Sequence, residues 1–256
     1  VGILAVILTI DLNADLGEDD HPAGIARDIA IMDIVSSCNI ACGGHAGSPE
    51  VMRTILTAAK SRSIAPGAHP SYPDRVGFGR KTIDISLVEL EDSLSRQLQD
   101  ITAIASDVGV PLTHIKPHGA LYNDAQDDPD LSTLLVDMAE RTNLALVGMP
   151  GSLIQRKAID QGIPFIAEAF IDRLYSKKCR LVPRSEAGAV IADEEHRIRQ
   201  GLCLAKATPF PAQGNTLLTI EAQTLCLHSD SDGALETAKR MRTALERAGI
   251  MIAQVR

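Results

Sequence analysis

The sequence predicts a parallel α/β chain closed into a β/α barrel, and three observations lead there. Strand-like and helix-like segments alternate along all 256 residues, the signature of βα repeats around a parallel sheet. No Pro/Gly/Ser linker or low-complexity tract interrupts them, so one domain over residues 1–256 is expected. Polar side chains collect at the C-terminal ends of six of the seven expected strands. An open doubly wound sheet would gather its site at one switch point, whereas a barrel draws it from many strands.

Taken in order, Ile3 to Asp11 reads as the first strand and Ile25 to Val35 as a helix. Cys38 to Ala41 is a short strand; Ser48 then caps a helix with Pro49 at its first position, running to Arg62. Ile64 to Ala68 is the third strand, and Ser86 with Glu89 forms a capping-box signal for a helix reaching Val108. Leu112 to Lys116, Leu144 to Val147 and Phe165 to Ala167 are the next strands, with an amphipathic helix over Asp130 to Arg141. Glu194 to Lys206 reads as a helix, Gln223 to Leu227 as the seventh strand, Asp232 to Arg247 as the last helix, and Ile250 to Val255 as a terminal strand.

Composition narrows the function classes. Aromatic residues make up 3% of the chain and Trp is absent, so the core must be aliphatic. A net charge of −8 argues against a nucleic-acid groove, which needs a basic footprint. Val1 to Ile10 is about half the length of a membrane span and lacks the basic start and small-residue cleavage site of a secretory signal; a buried first strand is expected there. Cys38, Cys42, Cys179, Cys203 and Cys226 form an odd, scattered set that suits reduced thiols in the cytoplasm. Self-association is left open.

The stretch His114-Ile115-Lys116-Pro117-His118-Gly119-Ala120-Leu121-Tyr122-Asn123 carries the strongest chemical signal. Pro117 disfavours helix for the residue before it, so His114, Lys116 and His118 should alternate in extended chain and face one side. Titratable groups on one face are costly to bury without partners and commonly mark a site. Further candidates stand at other strand ends: Asp11, Asn13, Asp15 and Glu18; Asn39 and His45; His69; Glu168, Asp172 and Arg173; His228 and Asp230. Taken alone, Asp11 to Glu18 could equally be a solvated loop. Cys38 and Cys42 near His45 resemble metal spacing but lack a second ligand pair, so small core thiols are expected. Gly77-Phe78-Gly79-Arg80 offers flexible backbone and one cation, as an anion-contacting lid would. Walker, dinucleotide-binding, His-Glu-x-x-His and Gly-x-Ser-x-Gly motifs are all absent from the chain.

With these residues assembled, the chain resembles the LamB/YcsF family. The resemblance rests on Asp11 to Glu18, Asn39 to Gly47, Gly67 to Arg80, His114 to Asn123, Glu168 to Tyr175 with Leu181 to Arg184, and Gln223 to His228, all in order. It departs at Gly44, Ile171 and Ser229, none of which removes a titratable group. The resemblance implies a distorted seven-stranded β/α barrel of the glycoside hydrolase/deacetylase type. It also implies cleavage of 5-oxo-L-proline to L-glutamate with ATP as co-substrate, by the A subunit of a 5-oxoprolinase that needs subunits B and C. Within it, Asp15, His69, Lys116, His118 and Glu168 are the expected catalytic residues. Lys116 and Arg173 are assigned to phosphate, Asp15 or Glu168 to the base, and His118 or His69 to proton transfer. Asn13, Glu18, His45, Asn123, Asp172, Arg173, His228 and Asp230 are the expected substrate-binding residues.

Two other readings stand beside this one. The first is a metal-dependent, deacetylase-like hydrolase of a small amide or carbohydrate, with Asp15, His45 and His69 as ligands to a divalent ion. The second is a non-catalytic binding component that delivers a small acid to its partners.

Overall fold

The computed structural model describes residues 8–228 and 233–255. Among the described residues, seven parallel strands close into a barrel: β1 (Thr9–Leu16), β2 (Ser37–Ala41), β3 (Ala65–His69), β4 (His114–Ile115), β5 (Ala145–Gly148), β6 (Phe165–Phe170) and, beyond a short β7/β8 hairpin (Phe210–Pro211 and Leu217–Leu218), β9 (Thr224–His228). Closure is made where β9 pairs with both β6 and β1, Asp15 lying beside His228 on one side and Asn39 on the other. A last strand, β10 (Met251–Ile252), adds to the start of β1.

Helices α1 (Pro22–Met32), α2 (Pro49–Arg62), α3 (Leu87–Val108), α4 (Gly119–Asp124), α5 (Pro129–Thr142), α6 (Leu153–Asp160), α7 (Glu194–Ala205) and α8 (Ala234–Arg247) accompany the strands. Local chemistry sets several of their ends. Ser48 Oγ accepts from Val51 N ahead of Pro49, Ser86 and Glu89 complete a reciprocal capping box, and Asp128 caps α5 ahead of Pro129.

Strand alternation sorts the side chains. Leu12, Ala14, Leu16, Ile40, Ala68, Ile115, Leu146 and Leu225 join helix residues such as Ile31, Ile55, Leu94 and Leu135 in one aliphatic core. Their alternates, Asp11, Asn13, Asp15, Asn39, His114, Lys116, Glu168 and Thr224, are buried as well. They bond between strands that are not neighbours, as in Asn13 to Glu168 and Lys116 to Asp15. The core is therefore an apolar sleeve around a polar barrel interior.

The main difference from the expected elements lies in β1. The strand runs through Leu16, so Asp11, Asn13 and Asp15 sit inside it and not in a solvated loop. The expected segment before residue 8 lies outside the described residues, and Leu8 is exposed. β4 is shorter than Leu112 to Lys116, β6 extends on to Phe170, and α4 and the β7/β8 hairpin were not anticipated. No helix among the described residues is long and apolar enough to cross a membrane.

One buried acid ties this frame to the loop after β1. Asp28 on α1 accepts from Gly17 N at 2.8 Å, fixing the turn that presents Glu18. Burial pushes the Asp28 carboxyl up to about 6. The folded state then holds a proton that the unfolded chain has released, so this contribution is full below about pH 4 and is lost as pH rises through about 6. The loss amounts to about 3 kcal/mol. Asp28→Asn keeps an acceptor for Gly17 and removes the charge. Denaturant titrations across pH should show the variant to be the more stable near neutrality, without the decline between about pH 4 and 6; an unchanged pH profile would contradict the assignment.

Candidate active site

The barrel interior builds upward in layers, two residues apart along each strand. At the bottom, the Asp11 carboxylate accepts from Ser36 Oγ at 2.6 Å, from Ser37 Oγ at 2.7 Å and from the Thr224 hydroxyl. Burial pushes its carboxyl up, against the pull of these hydroxyls. Above it, Asn13 Nδ2 donates to Glu168 Oε1 at 3.0 Å and to Thr224 Oγ1 at 2.7 Å. Asn39 Nδ2 donates to Asn13 Oδ1 and Asp15 Oδ1, both at 2.8 Å. His114 Nε2 donates to Asn39 Oδ1 at 2.7 Å, and burial drives that imidazole down to about 3, keeping it neutral.

Lys116 occupies the next layer and is 2% exposed. Its ammonium lies 2.8 Å from Asp15 Oδ1, 2.8 Å from Glu168 Oε1 and 3.1 Å from Cys226 Sγ. Asn13 Oδ1 stands farther off, accepting from the same ammonium at 3.4 Å. Burial alone would lower its pKa, but Asp15, Cys226 and Glu168 lift it well above the ordinary lysine value. Burial likewise opposes the charge on Asp15, and His69 together with Lys116 outweighs it, holding the carboxyl well below its usual range.

Above Lys116 the chain brings three imidazoles to one carboxylate. His69 Nδ1 donates to the Lys116 carbonyl at 2.7 Å, and His118 Nε2 donates to the Phe78 carbonyl at 3.0 Å. The other ring nitrogens, His69 Nε2 and His118 Nδ1, face each other at 3.0 Å. Glu18 Oε1 is 3.1 Å from His118 Nδ1 and 3.0 Å from His45 Nε2. His45 stacks on His118 with ring centroids 3.6 Å apart. Burial drives His45 down to about 3 and also lowers His118, whereas Glu18 is held well below its ordinary value by His118 and His45 in spite of its burial.

These groups open into a cavity of about 490 Å³ at the C-terminal ends of the strands. Asp15, Glu18, His69, Lys116 and His118 form its floor, and Tyr122, Phe170 and the segment Leu181–Arg184 its wall. Arg80, Lys81, Arg173 and Arg184 supply cations around it. Arg173 is buried, with Nη2 donating to the Val182 carbonyl at 2.7 Å and Nε to the Ala189 carbonyl at 3.3 Å. Burial first, and then the like charges of Arg184 and Arg80, bring its guanidinium down to about 10. On the far wall His228 Nδ1 donates to Asp172 Oδ2 at 2.7 Å, which orients the ring. A larger groove of about 1030 Å³ runs beside α3 and α5, but Arg141 is the charged residue lining it and Glu91 pairs with that guanidinium. The chemistry belongs to the smaller cavity.

The expected site residues therefore divide by depth. Asp15, Glu18, His69, Lys116, His118, Asn123, Arg173 and His228 line the cavity. Asn13 does not: it lies one layer below Asp15, bonded to Glu168, Thr224 and Asn39, and supports the floor instead of meeting a ligand. Glu168 is fully buried beneath Lys116. His45 stands behind His118, and Asp172 behind His228. Asp230 lies outside the described residues. Cys38 and Cys42 belong to the core; Cys42 Sγ accepts from His69 N at 3.2 Å and burial pushes the thiol up to about 12. Cys226 and Thr224 were missed as interior residues, although they alternate with His228 along one strand and so share its face.

Comparison with known proteins follows the same outline. The model of the LamB/YcsF family matches residues 10–256. The A subunit of the Streptomyces coelicolor 5-oxoprolinase is 40% identical over 245 residues, covering 95% of this chain and 98% of that protein. Its counterpart in Chloroflexus aggregans, likewise the A subunit of a 5-oxoprolinase, is 41% identical over 248 residues, covering 96% and 98%. The crystal structure of a lactam utilization protein from Thermus thermophilus superposes with a TM-score of 0.86 at 34% identity, covering 96% of this chain and 100% of the other. A family 4 carbohydrate esterase from Streptomyces lividans shares the fold alone, with a TM-score of 0.51 at 11% identity over 97% of this chain and 93% of the other.

Proposed function

The chain belongs to the LamB/YcsF family, and on that premise we propose that it is the A subunit of an ATP-dependent 5-oxoprolinase, opening 5-oxo-L-proline to L-glutamate together with subunits B and C. The observation that carries the reading is the crowding of Arg80, Arg173 and Arg184 at one cavity, in a chain of net charge −8, above a floor of carboxylates and imidazoles. Like charges brought together at this cost suit a ligand that is itself an anion. A lactam carboxylate bearing a phosphoryl group is such a ligand.

A lactam is a resonance-stabilised amide that water attacks slowly. Transfer of the γ-phosphoryl group of ATP to the lactam oxygen releases ADP and makes the ring carbon electrophilic. Water then adds to that carbon as a base takes its proton. The ring C–N bond breaks as an acid protonates nitrogen, and hydrolysis of the resulting acyl phosphate gives glutamate and phosphate. The guanidiniums are placed to hold the phosphoryl oxygens, with Arg173 as a planar fork. His228 is the group we assign to proton transfer, since Asp172 orients its ring and leaves Nε2 on the cavity side. Asp15 is a weaker candidate, because Lys116 and Asn39 already bond its Oδ1. Lys116 serves the floor by holding Asp15 and Glu168 charged and in place.

The deciding assay is glutamate release from 5-oxoproline by the purified chain, with and without ATP and with and without the partner subunits. Release that requires ATP and the partners is expected; its absence from the full mixture would overturn the proposal. The Glu18 and histidine cluster favours a second reading, a metal-dependent hydrolase of a small amide or carbohydrate. Turnover without ATP would select it.

A further inference from the structure

The arrangement above Lys116 is short of one positive centre. Backbone carbonyls fix two tautomers: Lys116 O holds the proton of His69 on Nδ1, and Phe78 O holds that of His118 on Nε2. In their neutral forms His69 Nε2 and His118 Nδ1 are then bare lone pairs, yet they face each other at 3.0 Å with Glu18 Oε1 alongside at 3.1 Å from His118. Three acceptors converge where a donor or a cation belongs. His45 Nε2 stands 3.0 Å from the same carboxylate oxygen, while its Nδ1 is buried without a hydrogen-bond partner.

We propose that Glu18, His45, His69 and His118 bind a divalent transition-metal ion, with zinc the best match. One donor atom from each residue lies within 4.8 Å of all the others. A tetrahedron with bonds of about 2.0–2.1 Å has edges of roughly 3.4 Å, and the 3.0, 3.1, 3.0 and 3.9 Å separations among these donors bracket that value. Imidazole nitrogen with one carboxylate oxygen is a zinc-type donor set. The carbonyls of Lys116 and Phe78 play the outer role that metal-bound histidines require, each accepting the remaining ring N–H. Charge points the same way: Asp15 and Glu168 already share the Lys116 ammonium, whereas the contacts of the Glu18 carboxylate are with His45, His69 and His118. Asp15, expected from sequence as a ligand, is instead turned by its Oδ1 toward Lys116 and Asn39, with Oδ2 3.5 Å from His69 Nε2. A bound ion would supply a Lewis acid toward a carbonyl or phosphoryl oxygen in the cavity.

The inference does not rest on the 5-oxoprolinase reading, and its test needs no substrate. The purified chain is stripped with a chelator, titrated with Zn²⁺ by calorimetry, assayed for metal by elemental analysis and reloaded with Co²⁺. One equivalent of zinc per chain, a raised melting point on zinc addition and the strong visible absorption of four-coordinate Co²⁺ are expected. Glu18→Gln, which keeps size and removes the charge, should weaken zinc binding by more than about a hundredfold, beyond what outer-shell partners alone contribute. No zinc heat, no retained metal and no Co²⁺ band in the wild-type chain would overturn the proposal and leave a shared proton between His69, His118 and Glu18. Zinc binding that Glu18→Gln and His118→Ala both leave intact would place the ion elsewhere and overturn it equally.

Discussion

Lys116→Ala is expected to lower stability by about 3–5 kcal/mol, because it leaves two buried carboxylates without their shared cation. Asp15 and Glu168 both sit 2.8 Å from the ammonium. Neither can turn to water, since Lys116 is 2% exposed, Glu168 is fully buried and Asp15 is 5% exposed. In a chain of this size the loss corresponds to a fall in melting point of about 10 °C. Lys116→Met separates packing from charge: it refills most of the volume, so a loss of similar size identifies the unpaired carboxylates as the cause. Adding Asp15→Asn to Lys116→Met should recover part of that loss, a non-additivity that a double-mutant cycle detects. A Lys116→Met protein as stable as the wild type would contradict the central position given to this ammonium.

Gly119→Ala is expected to cost about 2–5 kcal/mol and to disturb the site at once. Gly119 has φ +59°, and a Cβ placed on it would stand 2.4 Å from the Gly79 carbonyl oxygen. The left-handed conformation costs an L-residue about 1–2 kcal/mol, and the overlap with fixed backbone adds about 1–3 kcal/mol. Relief requires the segment holding Gly79 to move, yet Ala120 N donates to that same oxygen at 2.9 Å and His118 Nε2 to Phe78 O at 3.0 Å. The substitution should therefore loosen His118 as well as the fold. Denaturant unfolding measures the first effect, and the ring-nitrogen NMR signals of His118 report the second. A melting point unchanged from wild type would show that the junction accommodates a methyl group and that the approach to Gly79 matters little.

What could be read from sequence was whatever local chemistry decides. Ser48 with Pro49, and Ser86 with Glu89, begin helices because each serine satisfies backbone N–H groups within one turn. His114, Lys116 and His118 share a face because extended chain alternates, and in the structure they rise in order from the middle layer to the mouth. The character of β1 was ambiguous for a physical reason. Asp11, Asn13 and Asp15 resemble a solvated loop unless both faces of the strand are buried, and closure of the barrel is what buries them. Pairings that join distant strands were equally hidden. That Asn13 would bridge Glu168 and Thr224, or that the Arg173 fork would be taken up by the carbonyls of Val182 and Ala189, depends on strand stagger and loop return, which no local spacing encodes. Residue types marked the site; the fold decided which of them touch a ligand and which hold the others in place.

The most direct test of ring opening in this cavity is glutamate formation by the assembled enzyme carrying His228→Asn, compared with wild type at saturating ATP and 5-oxoproline. Removing a proton-transfer group that Asp172 orients should reduce kcat about 10²–10⁴-fold. Asn can still donate to the Asp172 carboxylate that His228 meets at 2.7 Å, so the fold should survive the change, which thermal unfolding of the same protein checks. Asp172→Asn should reproduce much of the deficit by releasing the ring from that orientation. A His228→Asn complex that folds normally and forms glutamate at the wild-type rate would contradict the account and place the chemistry elsewhere.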